Sequence, residues 1–108
     1  MDLNLAVLSS RVAAEPELRV FELGARVVRL LVTVRRKAPR RRVDVLPVTV
    51  WDPEPEIEQL QSGERVWLVG AVERRFWEAS EGRRSRLEIV AEKVETEATV
   101  DREAEVGA

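Results

Sequence analysis

The stretch GERVWLVGAVERRFWEASEGRRSR, from Gly63 to Arg86, is the most informative part of this 108-residue chain. Its pattern predicts a long strand, a charged hairpin and the start of a second strand, and side chains alternate between the two faces of a strand. The parity that the pattern assigns to a core contains Val66, Leu68, Val72 and Phe76. The other parity contains Trp67, Arg75 and Trp77. Outward indoles beside arginine are typical of surfaces that bind a flexible polyanion with stacking bases.

Five strands and one helix are predicted, in the order strand, strand, strand, helix, strand, strand. Residues 13–24, with Pro16 and Gly24, are predicted as a loop and a turn. A helix between the third and fourth of five strands is the arrangement of an OB-fold barrel, so the expected fold class is all-β. The strands are predicted at residues 3–12, 25–35, 43–51, 65–77 and 85–95, and the helix at residues 52–63.

The predicted helix has start and stop signals at its two ends. Asp52 is placed for an N-cap, Pro53 fits the first helical position, and Gly63 fits the stop. Ile57 and Leu60 lie three residues apart, so both side chains can dock on the barrel.

The remaining strands predict outward-facing residues and an assembly. Thr49 and Trp51 point outward by parity. Val27 and Leu31 are apolar on the outward face of their strand, which suggests a subunit interface; the alternative is ordinary exposed surface. Together with a short N-terminal strand that could pair edge to edge with its twin, these residues predict a homo-oligomer.

Composition argues against an enzyme. His, Cys and Tyr are all absent, which removes the usual general base, the thiol nucleophile and the imidazole and thiolate metal ligands. We therefore expect no catalytic residues, no metal, no cofactor and no small-molecule substrate. The sequence has neither an apolar run long enough for a membrane span nor a signal-peptide pattern, and the expected location is the cytoplasm, in association with the nucleoid.

Charge is unevenly distributed along the chain. Residues 1–91 have 16 basic and 14 acidic side chains, a net charge of +2, whereas residues 92–108 have 2 and 6, a net charge of −4. The predicted domains are accordingly an OB-fold nucleic-acid-binding domain at residues 1–95 and an acidic, disordered tail at residues 96–108. Clustering on a surface matters more for nucleic-acid binding than the total charge.

Two basic clusters accompany the outward tryptophans. The ordinary interpretation of such charge runs is a solvated hairpin tip, but six cations within eight positions repel one another, and this favours a polyanion partner. The second cluster consists of Arg83, Arg84 and Arg86 near Trp77. It is a weaker indication of nucleic-acid binding, because Glu78 and Glu81 flank it. The nucleic-acid-binding residues predicted from these patterns are Trp51, Trp77, Arg75, Arg35, Arg36, Lys37, Arg40, Arg41, Arg42, Arg83, Arg84 and Arg86. Trp67 is assigned equally to an interface or to nucleic-acid contact.

Taken in order, these segments resemble the bacterial single-stranded DNA-binding protein family over roughly residues 2–95. The resemblance implies an OB fold, single-stranded DNA bound by stacking and phosphate contacts, a homotetramer or a pair of dimers, and roles in replication, repair or recombination. It puts Trp51 and Trp77 on two stacking positions and Arg75 on a basic position. The matching segments are EPELRV (15–20), ARVVRLLVTVRR (25–36), DVLPVTVW (44–51), GERVWLVGAVERRFWE (63–78) and LEIVAEKV (87–94).

Several departures from the family pattern leave alternatives open. Val45 stands where many members have a stacking aromatic, and Glu73 where a basic residue is common. The Gly/Pro/Gln-rich tail and the acidic tip that ends in Phe are not present, so the sequence is either a naturally short member or a shortened one. A protein–protein adaptor of the primosome type on the same barrel is the second hypothesis, and an RNA-binding barrel is the third.

Overall fold

The computed structural model describes the backbone of residues 1–107 and the side chains of residues 1–104. Within these residues the chain forms six strands and two helices, and neither helix is long and apolar enough to cross a membrane. Their bounds are Ala6–Val12 (β1), Glu17–Val20 (β2), Arg26–Arg36 (β3), Arg42–Trp51 (β4), Pro55–Glu58 (α1), Arg65–Ala79 (β5), Gly82–Thr96 (β6) and Glu97–Gly107 (α2).

The strands close into one barrel. Antiparallel pairing joins β1 to β5, β5 to β6 and β3 to β4, while β4 and β6 run parallel. The barrel closes because the end of β1 also pairs with β3, at Arg11 and Val12. This order, with α1 between β4 and β5, confirms the predicted five-stranded OB-fold barrel, to which the short β2 adds an extra strand beside β3.

Branched aliphatic side chains fill the barrel. The inward positions of β3 and β5 alternate as the sequence predicts, and such side chains suit a pleated, half-buried surface. Burying them removes apolar surface from water, which is the main favourable contribution to folding. The core cluster consists of Val12, Val28, Leu30, Val32, Val48, Val50, Ile57, Leu60, Val66, Leu68 and Ile89.

Helix α1 is a single turn, much shorter than predicted. The prediction that Asp52 is its N-cap is wrong, because Asp52 has a φ of 49° and lies two residues before the capping position at Glu54. A proline disfavours the helical conformation of the residue before it, so the helix begins at Pro55. Ile57 and Leu60 are both buried, which confirms that this segment docks on the barrel.

Residues 17–20, predicted as part of a loop, form strand β2 against β3. The predicted turn lies at Gly24, which has a φ of 89° and donates its N–H to the Phe21 carbonyl at 2.9 Å. With β2 on one side and β4 on the other, Val27 is 0% exposed within the monomer. The expectation that Val27 contributes to a subunit interface is therefore wrong, whereas Leu31 is exposed.

The alternation of side chains along β5 predicts burial correctly only as far as Gly70. Val66 and Leu68 are buried as expected, but Val72 and Phe76 are exposed, Phe76 by 51%. A register shift immediately before Gly70 precedes the part of β5 that leaves the barrel. Beyond the cross-strand pair Glu73 and Glu88, β5 and β6 form a two-stranded extension with solvent on both faces, so parity no longer distinguishes core from surface there.

Two such ribbons extend from the same end of the barrel. The arginine ribbon is the outer part of β3 and β4, residues 33–45, and the aromatic ribbon is the outer part of β5 and β6, residues 73–88. Because β4 runs parallel to β6 and antiparallel to β3, both tips lie at one end. Helix α1 follows β4 and precedes β5, so it lies at the opposite end.

The acidic segment 96–108, predicted to be disordered, forms helix α2 over Glu97–Gly107, and the final residue lies outside the described part of the chain. The Thr96 hydroxyl accepts the backbone N–H three residues later at 3.1 Å, as an N-cap does. Arg102 forms an ion pair of 2.5 Å with Glu56 of α1. Helix α2 therefore lies at the α1 end, away from the ribbon tips.

Candidate nucleic-acid interface

One outward face runs across β3, β4, β6 and β5, from the α1 end of the barrel onto the aromatic ribbon. Trp51 lies near its α1 end and Trp77 near the ribbon tip. Between them Arg29, Arg75 and Arg86 approach one another closely enough for their charges to interact. We call this surface the basic face. It brings together both predicted stacking residues and the arginine predicted to lie beside them.

Trp51 is held in place by an aromatic neighbour. Its indole stacks on Phe21 with ring centres 5.8 Å apart and planes inclined by 20°. The guanidinium of Arg19 lies 5.1 Å from the centre of the Phe21 ring, in a cation–π arrangement. Trp51 still exposes 50% of its surface. One indole is thus positioned on a small aromatic platform with a cation nearby.

Trp77 has a cationic neighbour in place of an aromatic one. The guanidinium of Arg75 lies 5.4 Å from the indole centre, and Arg84 is the cross-strand partner of Trp77. Trp77 exposes 38% of its surface. An indole fixed in this way at the edge of a basic surface can stack on an incoming base while the adjacent arginines approach phosphate groups.

All six cations predicted on the arginine ribbon are exposed, and within the described residues Arg42 alone among them forms an ion pair. Arg42 differs, because its Nε donates to both carboxylate oxygens of Asp44 at 2.9 Å. This hydrogen bond raises the pKa of Arg42 and lowers the pKa of Asp44. The ion pair offsets the charge of Arg42 and leaves five cations at the tip: Arg35, Arg36, Lys37, Arg40 and Arg41.

The second predicted basic group is divided between the two faces of the aromatic ribbon. Arg86 lies on the basic face, and Arg84 lies on the same side but is paired with Glu81. Arg83 lies on the opposite side, where its guanidinium is 4.3 Å from the centre of the Phe76 ring. The structure therefore brings Arg84 and Arg86, but not Arg83, to the surface that contains the tryptophans.

Buried polar groups form the floor of the basic face. Thr49 was predicted to point outward into solvent, but it is only 2% exposed, because β3 and β6 flank it on both sides. Glu88 on β6 is 7% exposed. Within the described residues, Thr49 Oγ1, Glu88 Oε2 and Arg29 Nε have no hydrogen-bond partner. We call these three side chains the polar floor.

The charges around Arg29 are unbalanced. Burial lowers the pKa of Arg29 from its usual value, and the neighbouring charge of Arg75 lowers it further. Glu88 acts in the opposite direction. Arg19 and Arg86 add to the positive potential. A concentration of like charge at the centre of the face favours an anionic partner, since bound phosphate would relieve the repulsion.

Trp67 lies on a different part of the barrel surface. Its cross-strand neighbours are Ser9 of β1 and Glu95 of β6, and it is half-buried. Val7 and Lys93 line the same pocket of about 260 Å³. Trp67 is therefore separate from the basic face, which favours the interface assignment over nucleic-acid contact.

Four residues of the basic face were not identified from the sequence. Arg29 had a usable signal, because a charged residue in the middle of an apolar strand must either reach the surface or find a partner. Glu88 had the same signal on β6. Phe21 and Arg19 had none, since their position depends on β2 folding back beside β3, which places Phe21 against Trp51.

The fold and this surface together define a class of protein. A closed OB barrel with exposed indoles and converging arginines is suited to bind nucleic acid without sequence readout. In the described part of the chain, no group of three or more His, Cys, Asp or Glu side chains is placed to hold a metal ion. The class defined by these features is an OB-fold nucleic-acid-binding module.

Comparison with known proteins identifies the family. Residues 3–96 match the model of the single-strand binding protein family, and the chain belongs to that family. It is 25% identical over 79 residues to a single-stranded DNA-binding protein 1 of Nostoc sp. and to a single-stranded DNA-binding protein of Anabaena variabilis. These alignments cover 71% of this chain and 66% of each relative, so the chain spans about two thirds of their length.

A solved structure shares the fold. The Plasmodium falciparum SSB, determined in complex with ssDNA, superimposes with a TM-score of 0.74 and 22% sequence identity. The match covers 89% of this chain and 94% of that protein. This likeness supports the OB fold independently of the strand pairing.

Proposed function

We propose that this protein is a non-enzymatic, sequence-tolerant single-stranded DNA-binding protein that acts in replication, repair or recombination in the bacterial cytoplasm. The observation that carries the proposal is the placement of Trp51 and Trp77 on one face, with Arg29, Arg75 and Arg86 between them. Membership of the single-strand binding protein family supports the same conclusion.

Binding would proceed in two stages. The exposed cations at the tip of the arginine ribbon attract the phosphate backbone, and the released counterions supply much of the free energy. Bases then stack on the two indoles, whose orientation is maintained by Phe21 and Arg75. Neither stage reads a sequence, because phosphates and the faces of the bases are common to all strands.

A homo-oligomer is part of the proposal, with a tetramer favoured and a dimer as the alternative. Apolar side chains of the N-terminal segment are exposed at Leu3, Leu5 and Val7. Val7 lines the same pocket as half-buried Trp67. Covering this surface with a second copy would remove it from water. Light scattering at micromolar concentration tests this, and a monomer mass would contradict it.

Binding of oligo(dT) at two salt concentrations, followed by tryptophan fluorescence, tests the function. We expect quenching of the indoles and a log–log salt slope of roughly −0.7 for each phosphate contact. A duplex of the same length should bind less tightly, because its paired bases cannot stack on the indoles. Equal affinity for duplex and single strand would contradict the proposal.

A protein–protein adaptor on the same barrel is the second candidate. Two observations favour it. Val43 and Val45 are exposed on the arginine ribbon, and Glu73 lies directly opposite Glu88 on the aromatic ribbon. Apolar and acidic groups at these positions suit a protein partner better than DNA. The same oligo(dT) titration separates the two candidates, since an adaptor would show little quenching even at low salt.

A further inference from the structure

The two ribbons separate at their base, and the strand edges that face each other there are unpaired. Strands β4 and β6 pair only at residues 48–50 and 89–91. Within the described residues, no strand pairs with residues 82–88 of β6 on the side away from β5. This part of β6 therefore leaves backbone donors and acceptors open along one edge, and such an edge is a template for another strand.

Pro47 lies at the point where the pairing of β4 with β6 ends. Val48 is the first residue of β4 that pairs with β6, and Pro47 comes directly before it. A proline has no backbone N–H to donate to a ladder, so it is found at strand edges. Residues 82–88 of β6 contain no proline, so their edge retains its donors. The sequence thus opens a space between the ribbons and keeps the edge of β6 able to pair.

An apolar pocket lies at the base of this space. It has a volume of about 190 Å³, and its lining consists of Leu46, Pro47, Val72, Leu87, Glu88 and Ile89. Leu87 exposes 54% of its surface and Val72 exposes 40%. Apolar side chains of α1 are buried in the core at the opposite end of the barrel, whereas the side chains of this pocket remain open to solvent. We call the pocket and the open edge of residues 82–88 together the inter-ribbon cleft.

The open edge of β6 has a different chemistry on each of its faces. Side chains alternate along a strand, so Arg84 and Arg86 lie on the basic face and Leu87 lies on the opposite face. An added strand would alternate in the same way, because the side chains of paired strands lie side by side. One set of its side chains would meet the two arginines, and the other set would meet Leu87 and the apolar pocket.

Charge decides which strand fits this edge. Arg83, Arg84 and Arg86 make the edge basic, and within the described residues only Arg84 of these three forms an ion pair. A second copy that paired through the same edge would bring arginines against arginines, and like charges opposite one another destabilise a sheet. Charged side chains on an edge commonly prevent such self-pairing. An acidic strand, by contrast, is attracted and oriented by the same arginines.

We propose that the inter-ribbon cleft binds an extended acidic segment of a partner protein, which adds a strand to the open edge of β6 and places an apolar side chain in the pocket. Strand addition of this kind obtains its affinity from main-chain hydrogen bonds and its specificity from pockets for alternate side chains. The segment that fits best alternates acidic and apolar residues. This site goes beyond single-stranded DNA binding and does not depend on it.

The test uses a labelled synthetic peptide of about seven alternating aspartates and leucines with both ends blocked, and fluorescence anisotropy measures its affinity for the full chain. Two further peptides are N-methylated, one on the aspartates and one on the leucines. Only alternate residues of a strand bond to a given neighbour. One form should therefore bind about tenfold less tightly, as the loss of about two hydrogen bonds predicts, and the other within about twofold of the unmodified peptide. Equal behaviour of the two forms, whether both bind or both fail, would overturn the strand addition.

Leu87→Ala tests the pocket, and Leu18→Ala is its matched control. Both leucines are about half-exposed, and Leu18 lies on β2, which β3 and β4 separate from the cleft. Leu87→Ala should weaken peptide binding about fivefold, because it removes apolar surface that the peptide covers, and Leu18→Ala should leave it unchanged. A peptide with asparagine in place of aspartate should bind about tenfold less tightly at about 50 mM salt, where charges are weakly screened. Equal binding of the two peptides would overturn the acidic partner.

Two other occupants of the cleft are outcomes of the same experiment. If the peptide does not bind and Leu87→Ala lowers affinity for oligo(dT), the cleft takes single-stranded DNA. If Leu87→Ala lowers the mass measured by light scattering, the cleft takes a second copy of the chain. Either result would overturn the proposal, whereas absence of oligo(dT) binding refutes the proposed function and leaves the peptide result unaffected. Should Leu87→Ala not fold, as melting would show, the N-methylated peptides decide the question on the unmodified chain.

Discussion

The arginine ribbon and the aromatic ribbon leave the same end of one barrel, yet they differ in composition and in order. The arginine ribbon has six exposed cations, of which Arg42 is paired with Asp44, and no aromatic residue. The aromatic ribbon alternates arginine with ring side chains, with Trp77 on one side and Phe76 on the other. Both are two-stranded extensions with little core of their own. The difference therefore reflects ligand chemistry rather than the demands of folding.

The two ribbons are suited to two different interactions with a strand, long-range attraction and short-range contact. Cations at a hairpin tip act over roughly a Debye length, about 10 Å at 0.1 M salt, and they need no fixed orientation. Stacking requires a ring held at a defined angle, and Arg75 over Trp77 supplies that constraint. Added salt should consequently weaken the contribution of the arginine ribbon to ssDNA affinity much more than that of the aromatic ribbon.

The largest effect is expected from the triple change Lys37→Ala, Arg40→Ala and Arg41→Ala. If each residue contacts one phosphate, the log–log salt slope falls by about 2, because each contact on a single strand contributes about 0.7. Affinity should then fall roughly 500-fold at about 50 mM salt and roughly 30-fold at about 200 mM salt. Titration of oligo(dT) at several salt concentrations measures both quantities.

A triple variant of equal net charge elsewhere is the control for that experiment. Arg11, Arg65 and Lys93 lie outside both ribbons, and their replacement by alanine changes the net charge of the protein by the same amount. This control should keep most of the salt slope. An equal loss of slope in both variants would show that overall charge, rather than the arginine ribbon, attracts the strand.

Replacement of Trp77 by alanine should have the next largest effect. Stacking of a base on an aromatic ring contributes about 1–3 kcal/mol, so affinity should fall roughly 5- to 150-fold, with the salt slope almost unchanged. Phe76→Ala is the matched control on the other side of the same ribbon, where the ring is also half-exposed. If both variants lose affinity equally, the strand contacts both sides of the ribbon and our assignment of faces is wrong.

The ribbons also show where sequence patterns stop predicting structure. Alternation located the core of β5 correctly at Val66 and Leu68, because one face of the strand there is enclosed by the barrel. It failed at Phe76, because neither face of a free ribbon is enclosed. Trp77 was placed outward correctly by the same rule, since its outward position does not depend on where the barrel ends.

Other differences have the same origin in contacts that are distant along the chain. Val27 and Thr49 have outward parity but are buried, because neighbouring strands and their side chains cover that face. Strand β2 is exposed at all four of its residues, so no hydrophobic pattern could indicate it. The polar floor depends on three strands meeting, and only the pairing of β4 with β6 brings Glu88 near Arg29.

Trp51→Ala should lower both the ssDNA affinity and the thermal stability. We expect its loss of affinity to be smaller than that of Trp77→Ala. Outward parity alone would place Trp51 outside the core, but the structure adds a stacked contact with Phe21. Such a pair contributes about 0.5–1.5 kcal/mol. With roughly 4–8 °C for each kcal/mol in a domain of this size, the melting temperature should fall by about 2–12 °C. Phe21→Ala should lower it by a similar amount, and the double variant by less than the sum of the two.

The smallest effect is expected from removal of helix α2, which tests whether its acidic charge competes with DNA for the ribbons. An acidic segment can compete with DNA for a basic surface, but the structure attaches this segment at the α1 end through Thr96 and the Arg102–Glu56 ion pair. Thr96 is paired with Val66, and about eleven residues of β5, or roughly 35 Å of strand, separate Val66 from Trp77.

That separation is several Debye lengths at 0.1 M salt, so deletion of residues 97–108 should change ssDNA affinity by less than about twofold. The melting temperature should fall only slightly, because an exposed ion pair contributes about 0–1 kcal/mol. Arg102→Ala, which releases the ion pair but keeps the acidic residues, is the informative partner variant. If it weakens binding severalfold at low salt while the deletion tightens it, the released helix reaches the arginines, and its attachment to α1 keeps the two ribbons available to DNA.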